Sequence, residues 1–240
     1  MKKILFYTLV IAMFSITACS KNDDEENVFI EIPDEGFRSF AIKNYDTNKD
    51  GKISVAEAKR VNRINCFTKI NNVRSLEEIE YFTNLRVLWC SGGIEDNDRE
   101  GELTTVDLSK NTKLTDLDCS QNKITTLDLS NNNKLKYFKC YNNKISSLNL
   151  SNNTELTKLD CNNNKILSFD LSKNVNEISL NCDFNSISTF DISKRLLLED
   201  LSLFLCEIQT LDLSKHTKLR SVGCFMDTLV TLISNKRPLL

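Results

Sequence analysis

From Val106 onward the apolar positions of the chain recur every 21 residues, with polar residues locked between them. The recurring phrase is L-x-x-L-x-C-x-x-N-x-I-x-x-L-D-L-S-x-N. Its Ile position returns as Ile124, Ile145, Ile166, Ile187 and Ile208, and as Leu229 near the end. Within each unit, the alternation of Leu117, Asp118 and Cys119 is that of a short strand with Leu and Cys turned inward. A fixed period of about this length is the signature of a solenoid. One such unit buries too few side chains to offset the entropy of ordering it, so each must stack on its neighbours. The pattern predicts short parallel strands stacked into one curved sheet, about 4.8 Å apart from turn to turn.

Polar residues keep phase as well. Asn122, Asn143, Asn164 and Asn185 follow each strand where the chain bends. An inward Asn there satisfies backbone groups that no strand partner reaches. Asn111, Asn132, Asn153 and Asn174 form a second column, which His216 joins in phase. Cys119, Cys140, Cys161, Cys182 and Cys224 form a third, with Leu203 on one rung and Cys90 as the counterpart in an earlier turn. Glu177 stands where Leu114, Leu135 and Leu156 stand, and Cys206 and Asp227 replace the first Asn. Those turns are expected to be less regular.

Ahead of the repeats, residues 46–57 read D-T-N-K-D-G-K-I-S-V-A-E. They fit the twelve-residue loop of an EF-hand, whose spacing offers about seven oxygens to a hard cation. Asp46, Asn48 and Asp50 hold positions one, three and five, and Gly51 makes the turn at six. Lys52 offers its carbonyl at seven, Ser54 acts through water at nine, and Glu57 closes the shell with two oxygens at twelve. Phe37, Phe40, Ala41 and Tyr45 mark a helix entering the loop. Ala56, Arg60, Val61 and Ile64 mark one leaving it, with Val61 and Ile64 facing inward. The expected ligand is a structural Ca2+ of about 10⁻⁴–10⁻³ M affinity that stiffens a cap. The alternative is a loop that keeps its turn without metal, through Asn and Asp side chains. No second such loop is visible to pair with it.

The repeat phrase resembles the leucine-rich repeat family, in particular the 21-residue form of bacterial surface proteins, from about Ile70 to Leu232. The turn at residues 85–90 looks like an earlier repeat, separated from the next by an acidic insert around 94–102. The resemblance implies a leucine-rich repeat solenoid behind a small helical EF-hand-like cap. It also implies a surface that recognises a protein or glycan partner.

Balanced charge, formally -2 over 240 residues, gives no pull toward nucleic acid or an acidic membrane. The N-terminus supplies an address instead. Lys2 and Lys3 precede an apolar run from residue 4 to 18, too short to span a bilayer and flanked like a secretory signal. The run ends Ile16, Thr17, Ala18, Cys19, which resembles the lipobox of bacterial lipoproteins, whose Cys is lipidated. An ordinary signal peptide with an incidental Cys19 is the alternative. The acidic tract after it resembles the export signal of Bacteroidetes surface lipoproteins, and it also reads as a solvated tether. The divisions that follow are a lipoprotein signal peptide at 1–18, an acidic tether at 19–34, a helix-loop-helix at 35–66 and leucine-rich repeats at 67–240. Membrane contact is expected through the lipid anchor only, at the outer membrane and its cell surface.

Nine cysteines in an exported chain argue for disulfides. Replacement of one rung by Leu203 argues for reduced, buried thiols, and the reduced reading is favoured, although neighbouring rungs lie close enough for an occasional bridge. His216, the single His, is expected to be a solvated turn residue. The row Asp128, Asp170, Asp191 and Asp212 is a lattice, without a pair of divergent acidity, so no enzyme is expected. After the Cys column, apolar residues gather toward the C-terminus, and the candidate partner-binding set is Tyr141, Phe184, Phe204, Leu205, Phe225 and Met226. The same residues also suit a cap over the last turns or a contact with another copy. The reading is a non-catalytic envelope binding or adhesion module, with a structural or accessory component of a surface assembly as the alternative.

Overall fold

The computed structural model describes residues 28–68, 70–93, 100–168, 170–225 and 230–233. The signal peptide, Cys19, residues 20–27 of the tether, Met226 and Leu229 lie outside the described residues.

The chain opens with helix α1 (Glu35–Tyr45), started by Asp34, whose Oδ1 accepts the Phe37 N–H at 2.7 Å. The other oxygen of Asp34 accepts the Arg74 and Ser75 amides at 3.0 and 3.1 Å, tying the helix to the loop that follows the first strand. Gly36 is required here, since a Cβ would lie 2.3 Å from the Asn72 carbonyl oxygen. Helix α2 (Val55–Arg60) is a single reciprocal cap: the Ser54 hydroxyl accepts from the Glu57 amide, and the Glu57 carboxylate accepts from the Ser54 amide.

The helix leaving the loop is shorter than expected. It ends at Arg60, and Ile64 lies in strand β1 (Arg63–Asn65). From Ile64 the burial alternates with period two, through Cys66 and Thr68, as a strand requires. Ile64 pairs in register with Leu88, so the sheet begins inside the segment read as helical.

The remaining strands are β2 (Val87–Trp89), β3 (Asp116–Asp118), β4 (Tyr137–Lys139), β5 (Lys158–Asp160), β6 (Ser179–Asn181), β7 (Asp200–Ser202), β8 (Thr210–Asp212), β9 (Ser221–Gly223) and β10 (Thr231–Ile233). Eight form one parallel sheet in the order β1-β2-β3-β4-β5-β6-β7-β9, while β8 and β10 pair separately, also parallel. Each strand contributes one inward apolar residue, as in Leu88, Leu117, Phe138, Leu159, Leu180 and Leu201, all in register. Behind them Ile124, Ile145, Ile166 and Ile187 are fully buried. The stacked solenoid with a small helical cap is as the periodicity predicted.

The Asn columns are the polar skeleton of the stack. Asn143 Nδ2 donates to the carbonyls of Cys119 and Cys140 at 3.0 Å, and its Oδ1 accepts the Ile124 amide at 2.9 Å. Asn132, Asn153 and Asn174 each donate to two carbonyls of the preceding turn. None of the eight described cysteines forms a disulfide, and all but Cys224 are buried.

Two sequence expectations are corrected here. His216 is buried, at 4% exposure, with Nε2 3.0 Å from the Ile192 carbonyl oxygen. It takes the place of the column Asn and donates to the same kind of interior carbonyl. The turn carrying Glu177 keeps its register, because Arg195, one turn later in the Asn column, places its Nε 3.2 Å from Glu177 Oε2.

Candidate functional site

The predicted loop residues come together around one turn. Asp46 caps the end of α1, and its two oxygens accept the Lys49 and Gly51 amides at 2.6 and 2.9 Å. Asn48 Oδ1 accepts from the Asp50 amide, and Asp50 Oδ1 from the Lys52 amide. Gly51 sits at φ +81°, the left-handed backbone that the sixth position needs. Glu57 Oε1 accepts from the Thr47 amide and hydroxyl, and its Oε2 from Ser54, at 2.6 to 3.0 Å. Burial alone raises the pKa of Glu57, but the donors of Ser54 and Thr47 outweigh it and hold the carboxyl down at about 2.

The missing second loop has a substitute. Residues 28–30 lie antiparallel to residues 53–55, with Ile30 N–H to Ile53 O and Val55 N–H to Val28 O both at 2.8 Å. The oxygen-only donor set suits a hard cation. Among the described residues no three carboxylate, thiol or imidazole groups converge at metal-ligand distance. Each Asp46 oxygen accepts one amide and keeps a lone pair, whereas both Glu57 oxygens accept from at least two donors, so a cation here would compete with Thr47 and Ser54 at Glu57.

The C-terminal apolar set is largely contiguous. Phe184, Phe204, Leu205 and Phe225 are exposed, and the Phe184 and Leu205 amides donate to the Phe204 and Phe225 carbonyls. Tyr141 stands apart: it is half-buried, and Asn162 and Asp183 separate it from Phe204 in its column. Phe184 and Leu205 are held at φ +52° and +53°, where the earlier turns place Asn142 and Asn163. Asn tolerates this conformation, whereas bulky apolar residues are strained in it. Gly223 makes room for its neighbour, since a Cβ would lie 2.4 Å from a Phe204 ring carbon.

A second surface was not singled out from the sequence. On the outward face of β2 to β5, Trp89 and Tyr137 are exposed and rim a cavity of about 440 Å³. Asp116 and Asp118 lie between them, and Phe67, Lys139 and Lys158 complete the wall. The Arg63 guanidinium stands 5.0 Å from the Trp89 ring centre and the Lys158 ammonium 5.9 Å from that of Tyr137. The signal lay in the outward strand positions, which vary from turn to turn while the inward ones repeat.

The repeated carboxylates have local work. Asp128, Asp170 and Asp191 each accept the amide of the Ser two residues on, at 2.7 to 2.9 Å, and are held below the usual carboxylate range by those bonds. Burial pushes the Cys66 thiol up to about 12 and those of Cys90 and Cys140 well above their ordinary value, away from thiolate chemistry.

No family model matches the chain, and no curated protein matches it by sequence. Among solved structures it is similar to a leucine-rich repeat protein of Leptospira interrogans, with TM-score 0.55 and 20% identity over 62% of this chain and 39% of that one. It is also similar to internalin C2 of Listeria monocytogenes, with TM-score 0.51 and 22% identity over 81% of this chain and 93% of that one. The functional domain of InlJ from Listeria monocytogenes, described as including a cysteine ladder, aligns with TM-score 0.46 and 23% identity over 84% of this chain and 59% of that one. The chain thus spans 59% of the InlJ domain and 39% of the Leptospira protein. The fold is that of a leucine-rich repeat solenoid.

Proposed function

We propose that this chain is a non-catalytic binding or adhesion module of a bacterial envelope, held to the outer membrane through lipid on Cys19 and displayed at the cell surface. One observation carries the binding reading. Phe184 and Leu205 are exposed and left-handed at a position held by Gln121, Asn142 and Asn163 in the earlier turns, where Asn bears the conformation at lower strain. With Phe204 and Phe225 they make an apolar rim that a partner would cover. The stacked turns supply a long rigid face of the kind solenoids use for recognition. The partner is a protein or a glycan, with no nucleic acid involved. Ca2+ held by Asp46, Asn48, Asp50, Glu57 and the Lys52 carbonyl, with Ser54 nearby, would brace the cap.

The experiment is capture of envelope proteins and glycans by immobilised mature protein, with and without Ca2+, beside a Phe204→Asn/Phe225→Asn variant. A ligand retained by the parent and lost from the variant supports the module. A ligand retained equally by both overturns the rim as the binding surface, and none retained by either supports the alternative of a structural spacer in a surface assembly.

A further inference from the structure

We infer that the cleft between Trp89 and Tyr137 is a binding site for a neutral oligosaccharide, separate from the C-terminal rim. This inference rests on the binding-module reading and narrows its ligand. The outward positions follow an ordered sequence across five strands: Arg63 on β1, Trp89 on β2, Asp116 and Asp118 on β3, Tyr137 on β4, and Lys158 on β5. Trp89 and Tyr137 are two strands apart and offset by two residues of register, about 12 Å on the diagonal across β3. That gap leaves space for a ring-sized body above the β3 carboxylates, and the cavity of about 440 Å³ is in the range of small-ligand sites.

Charge decides the class of ligand. On β1 to β5 the outward cations are Arg63, Lys139 and Lys158, and the outward anions are Asp116, Asp118 and Asp160, three against three. A balanced face exerts no net pull on a strongly anionic or cationic partner. Yet none of the ion pairs among the described residues joins these groups, although Asp118 and Lys139 are register neighbours.

The hydrogen bonding of the two carboxylates is local and one-sided. Asp116 Oδ2 accepts the Thr115 hydroxyl, and Asp118 Oδ1 accepts the Ser120 amide and hydroxyl. Each carboxylate keeps its other oxygen as an acceptor, and Lys139 keeps an ammonium donor, all on residues that line the cleft. Sugar hydroxyls both donate and accept, so one uncharged molecule serves acceptor-only carboxylates and a donor-only ammonium together. The C–H faces of the sugar ring then pack on the apolar bodies of Trp89 and Tyr137.

Trp89 is the single Trp of the chain, so its emission reports on the cleft directly. The test titrates the full mature chain with neutral tetrasaccharides of glucose, mannose, galactose and N-acetylglucosamine, and with lysine-rich and acidic peptides as controls. The expected result is a saturable shift in Trp emission with at least one sugar. Tyr137→Ala and Asp116→Asn, checked for an unchanged melting curve, should each weaken it tenfold or more. The rim variant Phe204→Asn/Phe225→Asn should keep the response, which separates failure of this site from failure of the rim. No saturable response to any sugar, a response in both cleft variants equal to the parent's, or a response to the peptides alone overturns the inference.

Discussion

Arg195 Nε lies 3.2 Å from Glu177 Oε2 in the interior of the stack, with the two side chains at 1% and 0% exposure. Each residue breaks its own column, Glu177 among Leu and Arg195 among Asn, and each supplies the charge that the other needs. Arg195 Nη1 also donates to the Asp191 carbonyl, while Glu177 Oε1 and Arg195 Nη2 have no hydrogen-bond partner. A buried pair of this kind is incompletely compensated.

Removing one partner should therefore be worse than removing both. Above about pH 8, where Glu177 is ionised, Glu177→Leu or Arg195→Asn alone is expected to destabilise by about 3–5 kcal/mol, by leaving one uncompensated buried charge. Glu177→Leu with Arg195→Asn restores both columns and should be neutral, or stabilising by about 1–4 kcal/mol. Urea unfolding of the four proteins measures this as a double-mutant cycle. Additive single and double effects would contradict it.

The same pair sets a pH dependence. Burial pushes the Glu177 carboxyl up from its ordinary 4.5 to about 8, against the opposing pull of Arg195. A carboxyl whose folded value exceeds its unfolded one holds its proton more tightly when folded, so its contribution is full below about pH 4.5 and lost as pH rises through about 8. Unfolding free energy should fall between these limits in the parent and change less in the double variant. Parallel pH profiles for the two proteins would rule the assignment out.

The Asn column gives a graded prediction. Asn143→Ala leaves the Ile124 amide without its acceptor and takes one of two Asn donors from each of the Cys119 and Cys140 carbonyls, and should destabilise by roughly 1–3 kcal/mol. Cys206 occupies the equivalent place and donates a weaker thiol bond to the Cys182 carbonyl at 3.3 Å. Cys206→Asn should raise stability by about 1 kcal/mol. Denaturant midpoints decide both.

Calcium should raise the melting temperature. At tenfold excess over the dissociation constant, one site binding only the folded state adds about 1.4 kcal/mol. Asp46→Asn should remove this gain while leaving the metal-free protein folded. Glu57→Gln should also lower metal-free stability, because Glu57 holds the Thr47 and Ser54 amides. Identical melting curves with and without Ca2+ would sink the loop assignment.

The rim predicts opposed effects on stability and binding. Phe184→Asn and Leu205→Asn should each stabilise the fold by about 1 kcal/mol, since Asn relieves the left-handed strain. Both should weaken partner capture. Destabilisation by both would show that these side chains pack as a cap.

The sequence stated the period, and the period alone determined the strand phase, the inward Leu, Ile and Cys columns and the Asn columns. A one-residue change of register would turn every such column outward, so no other stacking buries them. The twelve-residue loop was equally explicit, because its turn chemistry is local.

Tertiary structure decided whatever depends on a residue in a neighbouring turn. Only stacking brought Arg195 to Glu177, buried His216, and drew Ile64 from a helix into the sheet, since each outcome is set by a neighbour 18 to 24 residues distant. The Trp89 and Tyr137 cleft belongs to the same class. Its members fall at outward positions that the repeat leaves unconstrained, so their pattern exists across strands and nowhere along one.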